Sequence, residues 1–143
     1  MGSKQPIRIV VDTNIWISLL IGRSLENLLT ILDSPNFELI GTDLLFQEVA
    51  EVTQRGKFAK HFSPKDAQQL LKWMKSAMTN IKLNADIQRR CRDIEDDYLL
   101  ELAIQSHAIY LVSGDNDLLS IGEIEGCKIM TVSQFINDVK NSQ

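Results

Sequence analysis

The sequence predicts an α/β domain with a central parallel sheet of four to five strands and helices on both faces. Three observations predict it. Short β-branched runs such as "RIVV", residues 8–11, are apolar on both faces, as buried parallel strands are. Other segments carry apolar residues at helical spacing behind a capping residue. The two kinds alternate along the chain, which implies strand–helix–strand units in one sheet. At 143 residues the chain reads as one domain, 1–143, large enough for its own core.

The elements follow in order. After "RIVV" a helix is expected over residues 13–21. A second follows Ser24, with Leu25, Leu28, Leu29 and Leu32 at helical spacing. "FELIG" reads as the second strand. "TDLLFQEVAEVTQ" reads as a helix capped by Thr42, with Leu45, Val49 and Val52 on one stripe. "SPKDAQQLLKWMKSAM" has Ser63 as cap, Pro64 in the first turn and Asp66 three residues past the cap. "DDYLLELAIQSH" is a further helix, "AIYLVS" the third strand and "CKIMTV" the fourth. Ser133 is expected to cap the last helix, through "QFINDVK".

Composition narrows the function. With 44% hydrophobic and 24% charged residues, the chain is not of the disordered class. "IWISLLIG" is too short to span a membrane, and "MGSKQPIR" lacks the apolar core of a signal peptide. A cytoplasmic protein without a membrane partner is expected. Cys91 and Cys127 show no metal-site spacing and read as free thiols. The net charge of −4 speaks against nucleic acid, but its distribution does not. A basic helical segment, residues 55–92, holds ten Lys and Arg against Asp66 and Asp86 alone. It carries +8, and the rest of the chain −12. Such polarity draws polyanions to one region and cations to another, although a solvated helix face would have the same composition.

In an open α/β sheet, ligands bind outside the carboxyl ends of the strands. Asp12 ends the first strand, and Asp115 and Asp117 follow the third. Glu48 lies on the helix after the second strand, beside its apolar stripe. In "DIEDD", residues 93–97, Asp96 is spaced with Leu100 and Ala103 to face the packed side. Each acid taken singly reads as a helix cap or a boundary residue, a cap being worth about 1 kcal/mol. Together they read differently. Gathered carboxylates repel and raise one another's pKa, so a fold collects them where a cation offsets the repulsion. An all-oxygen set without His or Cys selects Mg²⁺ or Mn²⁺, ions that suit phosphate substrates.

The stretches "IVVDTNIWIS", "LLFQEVAEV", "RDIEDDYLLELA" and "YLVSGDNDLL" resemble, in order, the four motifs of PIN-domain nucleases. Within that family the resemblance is to bacterial PIN proteins assigned as toxins of toxin–antitoxin pairs, down to the basic-aromatic stretch "RGKFAKHF". It runs from about Ile7 to Phe135. It implies a PIN-like fold and a Mg²⁺- or Mn²⁺-dependent ribonuclease. By position, Asp12, Glu48, Asp96 and Asp115 match the catalytic metal-binding quartet, and Asp117 an accessory ligand. Asn14 and Ser113 match residues that orient the first carboxylate. The "DD" pair leaves Asp97 open as an alternative to Asp96.

The reading that follows is endonucleolytic cleavage of single-stranded or looped RNA by water, leaving a 5′-phosphate and a 3′-hydroxyl. Arg55, Lys57, Lys60, Arg89, Arg90 and Arg92 would hold backbone phosphates. Phe58, His61, Phe62 and Trp73 offer stacking surfaces. Core packing is the competing role for Phe58, Phe62, Trp73 and Trp16, and a plain surface position for His61. Chemistry by His61 through the 2′-hydroxyl would instead leave a cyclic phosphate and need no metal. An antitoxin protein and a homodimer are the partners the resemblance implies. The alternative class is a Mg²⁺-binding, receiver-like signalling or interaction module. A receiver wants a Lys at the end of a late strand, and none follows "AIYLVS" or "CKIMTV" at the right place. A haloacid-dehalogenase-like phosphatase wants a second acid where "DTN" has none.

Overall fold

A computed structural model of the chain describes residues 5–22, 26–58, 60–83 and 94–141, without the side chains of residues 26 and 94–97. The elements are β1 (Ile7–Val11), α1 (Thr13–Ile21), α2 (Glu26–Leu32), β2 (Phe37–Gly41), α3 (Asp43–Thr53) and α4 (Pro64–Ala77). They continue with β3 (Thr79–Asn80), α5 (Ile94–Gln105), β4 (Tyr110–Val112), α6 (Asn116–Leu119), β5 (Glu123–Ile124), β6 (Cys127–Met130) and α7 (Val132–Asn141). The strands form one six-stranded sheet in the order β3-β2-β1-β4-β6-β5. All pairings are parallel except the β5–β6 hairpin at one edge. The α/β architecture is the one the sequence predicts, with two strands more than the four it marks.

Alternation along β1 explains the layers. Ile9 and Val11 join one core with Trp16, Leu28, Leu39, Met74, Tyr110 and Phe135. Val10 joins the other, with Ile40, Leu99, Leu102, Leu111, Leu118 and Ile129. A strand buried on both faces must be apolar throughout, which is why "RIVV" shows no alternation. Trp16 is fully buried and donates its indole N–H to Val11 O at 3.1 Å, so it is a core residue. Phe62 is buried, and Phe58 and Trp73 pack against the core, Phe58 stacking on Phe62 at 6.1 Å. Core packing is thus their role here.

Two expectations need adjusting. The last helix is not capped by Ser133. It is closed by Thr131, whose Oγ1 accepts the Gln134 N–H at 3.2 Å while Gln134 Oε1 accepts the Thr131 N–H at 3.0 Å. That reciprocal pair satisfies two otherwise orphan donors, and so it wins. Thr42 occupies the cap of α3 but makes no side-chain cap bond. The basic segment, residues 55–92, contains the short strand β3. In the first turn of α3, Leu44 is exposed while Leu45 is fully buried. Ser63 caps α4 as expected, accepting from the Asp66 N–H at 3.1 Å.

Candidate metal-dependent active site

The strand order reverses direction between β1 and β4. Chain connections leave the carboxyl ends of these two neighbours on opposite sides, opening the crevice where α/β folds bind ligands. Val11 pairs with Val112, so the residues after them, Asp12 and Ser113, sit side by side on that edge. Asp12 keeps extended backbone and caps α1, accepting the Asn14 N–H on Oδ1 at a long 3.4 Å. Its other oxygen is better held: Ser113 Oγ donates to Asp12 Oδ2 at 2.7 Å. The same hydroxyl accepts the Asp115 N–H at 3.0 Å. One buried serine therefore joins the two motif acids. Asn14 acts on Asp12 through its backbone N–H.

Asp12 is buried, with 3% of its surface exposed. Burial raises its pKa above the ordinary carboxylate value, the Ser113 and Asn14 hydrogen bonds oppose that, and the nearby Asp115 carboxylate adds to it. Asp115 occupies the cap position of α6 yet makes no side-chain cap bond, and its Oδ2 is buried without a hydrogen-bond partner. A cap would have used that carboxylate. Asp117 lies half-buried in the first turn of α6.

Glu48, half-buried on α3, reaches the same region from the other side, where Thr13 Oγ1 donates to Glu48 Oε2 at 2.9 Å. Thr13 directly follows Asp12, so the first motif touches both ends of the acid group. The Tyr98 hydroxyl lies beside Thr13 and Glu48, where burial and then the neighbouring acids push its pKa well up. It makes no hydrogen bond of good geometry there. Thr13 and Tyr98 carry no mark in the sequence. Thr13 hides inside the motif, and Tyr98 reads as one more apolar residue of its helix.

Asp96 and Asp97 fall in the first turn of α5, just before Tyr98, and their side chains lie outside the described residues. Among the described residues, no three of His, Cys, Asp and Glu are close enough to hold a metal ion together. The described part of the expected quartet is thus the Asp12–Asp115 pair, with Glu48 linked through Thr13. This partial set still fits a hard divalent cation. Its donors are all oxygen, one is an orphaned buried carboxylate oxygen, and the repulsion felt by Asp12 is what such a cation offsets.

Arg55, Lys57 and Lys60 are exposed around the short 3-10 turn Gly56–Phe58, with Lys57 Nζ 5.1 Å from the Phe58 ring centre. Arg89, Arg90 and Arg92 lie outside the described residues. His61 is exposed and lines a groove with Leu20, Ile21, Leu29, Leu70 and Trp73. Cys127 is a buried free thiol, and Cys91 lies outside the described residues. Among the described residues, no helix is long and apolar enough to cross a membrane.

Comparison with known proteins adds to this geometry. A search among curated proteins found no match. A chain of the VapBC2 complex from Rickettsia felis, crystallised bound to a DNA fragment from their promoter, is similar with a TM-score of 0.58 at 16% identity. That match covers 86% of this chain and 97% of the other. The PIN domain endonuclease Utp24 is similar with a TM-score of 0.55 at 16% identity, covering 88% and 85%. PAE2754 from Pyrobaculum aerophilum is similar with a TM-score of 0.56 at 14% identity, covering 96% and 91%. At these identities the likeness is one of fold. A family model described as the PIN domain matches residues 8–117, from β1 through the second acid after β4. The chain that pairs Asp12 with Asp115 across that span therefore belongs to the PIN domain family, whose members are generally nucleases.

Proposed function

We propose that the protein is a Mg²⁺- or Mn²⁺-dependent endoribonuclease and the toxin of a toxin–antitoxin pair. The observation that carries the reading is Asp115. It takes a capping position without capping, and its buried Oδ2 has no partner beside a second acid that is itself buried. Such an arrangement is costly in the bare protein and useful only once a cation arrives.

Asp12, Asp115 and Asp96 hold the ion in this reading, with Asp117 as accessory ligand and Asp97 as the alternative to Asp96. The ion supplies charge neutralisation at the phosphate and a more acidic water. Ser113 and the Asn14 N–H orient Asp12. Glu48 completes the acid group and positions the attacking water. Arg55, Lys57, Lys60, Arg89, Arg90 and Arg92 hold RNA phosphates and leave the acid edge for the scissile bond. Likeness to a chain of the VapBC2 complex supports a protein partner, and the groove beside His61, where Leu20, Leu29 and Trp73 meet Asp33 and Asp66, offers such a partner a seat. A homodimer belongs to the same reading.

The test is cleavage of a structured RNA titrated with Mg²⁺ and Mn²⁺, alongside Asp12→Asn and Asp115→Asn. Cleavage that needs the ion and is lost in both variants is expected. Both variants cutting as fast as the wild type would overturn the proposal.

A further inference from the structure

We propose that Tyr98, together with Thr13, is a positioning residue that fixes the Glu48 carboxylate for cation binding. This rests on the nuclease reading above. Thr13 has one hydroxyl hydrogen and directs it to Glu48 Oε2 at 2.9 Å. The Tyr98 ring is 4% exposed, and its hydroxyl sits next to the same carboxylate and the same threonine. It is one of only two unpartnered buried side-chain polar atoms among the described residues, and the other is Asp115 Oδ2. Buried polar atoms without partners are rare in native folds. Both lie in one acid group.

The donor inventory says what Tyr98 contributes. An ionised carboxylate accepts at about four lone-pair sites, and the Thr13 hydroxyl is one of the donors to Glu48. A phenol has one hydroxyl hydrogen to donate. A small turn of the carboxylate, drawn by positive charge at the Asp12–Asp115 pair, gives it an acceptor. Glu48 is then held by donors from α1 and α5 and keeps lone pairs for the cation side. Glutamate is long and flexible, and without such donors it would lose that freedom at the moment of binding. Tyr98 also follows directly on Asp96 and Asp97. Tyr98 therefore brings α5 against Thr13 of α1 and Glu48 of α3.

The experiment is Mn²⁺ binding by calorimetry to wild type, Tyr98→Phe, Glu48→Gln and the double variant, with metal-free melting curves and steady-state RNA cleavage. Tyr98→Phe removes one oxygen and keeps the ring. Its metal-free melting temperature is expected to equal or exceed that of wild type, while the Mn²⁺ dissociation constant rises about tenfold. In cleavage, kcat falls and the KM for RNA stays. In the Glu48→Gln background the same change is expected to add nothing, since the two residues act as a unit. Wild-type Mn²⁺ affinity in Tyr98→Phe, or an equal loss with and without Glu48, would overturn the proposal alone. A wild-type protein that binds no Mn²⁺ would overturn the nuclease reading and this proposal with it.

Discussion

The Ser113 hydroxyl donates to Asp12 Oδ2 at 2.7 Å and accepts the Asp115 N–H at 3.0 Å. It thereby sets the spacing of two acids that are 103 residues apart in the chain. Ser113→Ala leaves a buried carboxylate oxygen without its donor and is expected to cost about 1–3 kcal/mol. Ser113→Thr keeps the hydroxyl and should recover most of the loss. Urea unfolding of the three proteins measures it, and equal midpoints for Ala and wild type would contradict the bridge.

Asp12 is the clearest pH-dependent element. Its folded pKa is raised, so between the unfolded value of 3.8 and the folded value the native state holds more protons than the unfolded state. The Asp12 contribution therefore falls as pH rises through that window and stays low above it. Asp12→Asn removes the buried charge and its repulsion by Asp115. It is expected to raise metal-free stability at pH 7 by about 1 kcal/mol, or roughly 3 °C. It should also abolish any melting shift caused by Mn²⁺. A less stable Asp12→Asn protein would count against the repulsion.

A true cap at Asp115 predicts that Asp115→Ala destabilises by about 1 kcal/mol. The missing cap bond and the relief of the Asp12 repulsion predict a metal-free stability equal to or above that of wild type instead, together with loss of the Mn²⁺-induced melting shift. Thermal scans with and without the ion separate the two roles.

The exposed cations make a different kind of prediction. Lys57→Ala and Lys60→Ala are expected to weaken RNA binding and lower the slope of log affinity against log salt by about 1 each. The melting shift with Mn²⁺ should not change. An unaltered salt slope would place the phosphates elsewhere.

Much of the fold was legible because its signals are local. β1 is apolar on both faces, Ser63 and Pro64 open α4, and "DTN" and "GDND" stand at strand ends; each needs only a few neighbouring residues. The elements left unread are those whose signals are short or distant. β3 is two residues long and has no period to detect. The β5–β6 hairpin turns on Glu125 at φ 49° and Gly126 at φ 82°, and a glutamate is a poor advertisement for a left-handed position.

By itself the chain determined its alternation of strands and helices, the sheet edge on which its acids fall, and the family motifs in their order. Pattern and spacing are properties of neighbours, and neighbours are what a sequence displays. Only tertiary structure decided that Ser113 bridges Asp12 and Asp115, that Asp115 does not cap its helix, and that Thr13 and Tyr98 close on Glu48. Those contacts join β1 to β4 and α1 to α3 and α5. Burial, repulsion and hydrogen-bond direction at such places depend on which strands become neighbours, and chain order alone does not say.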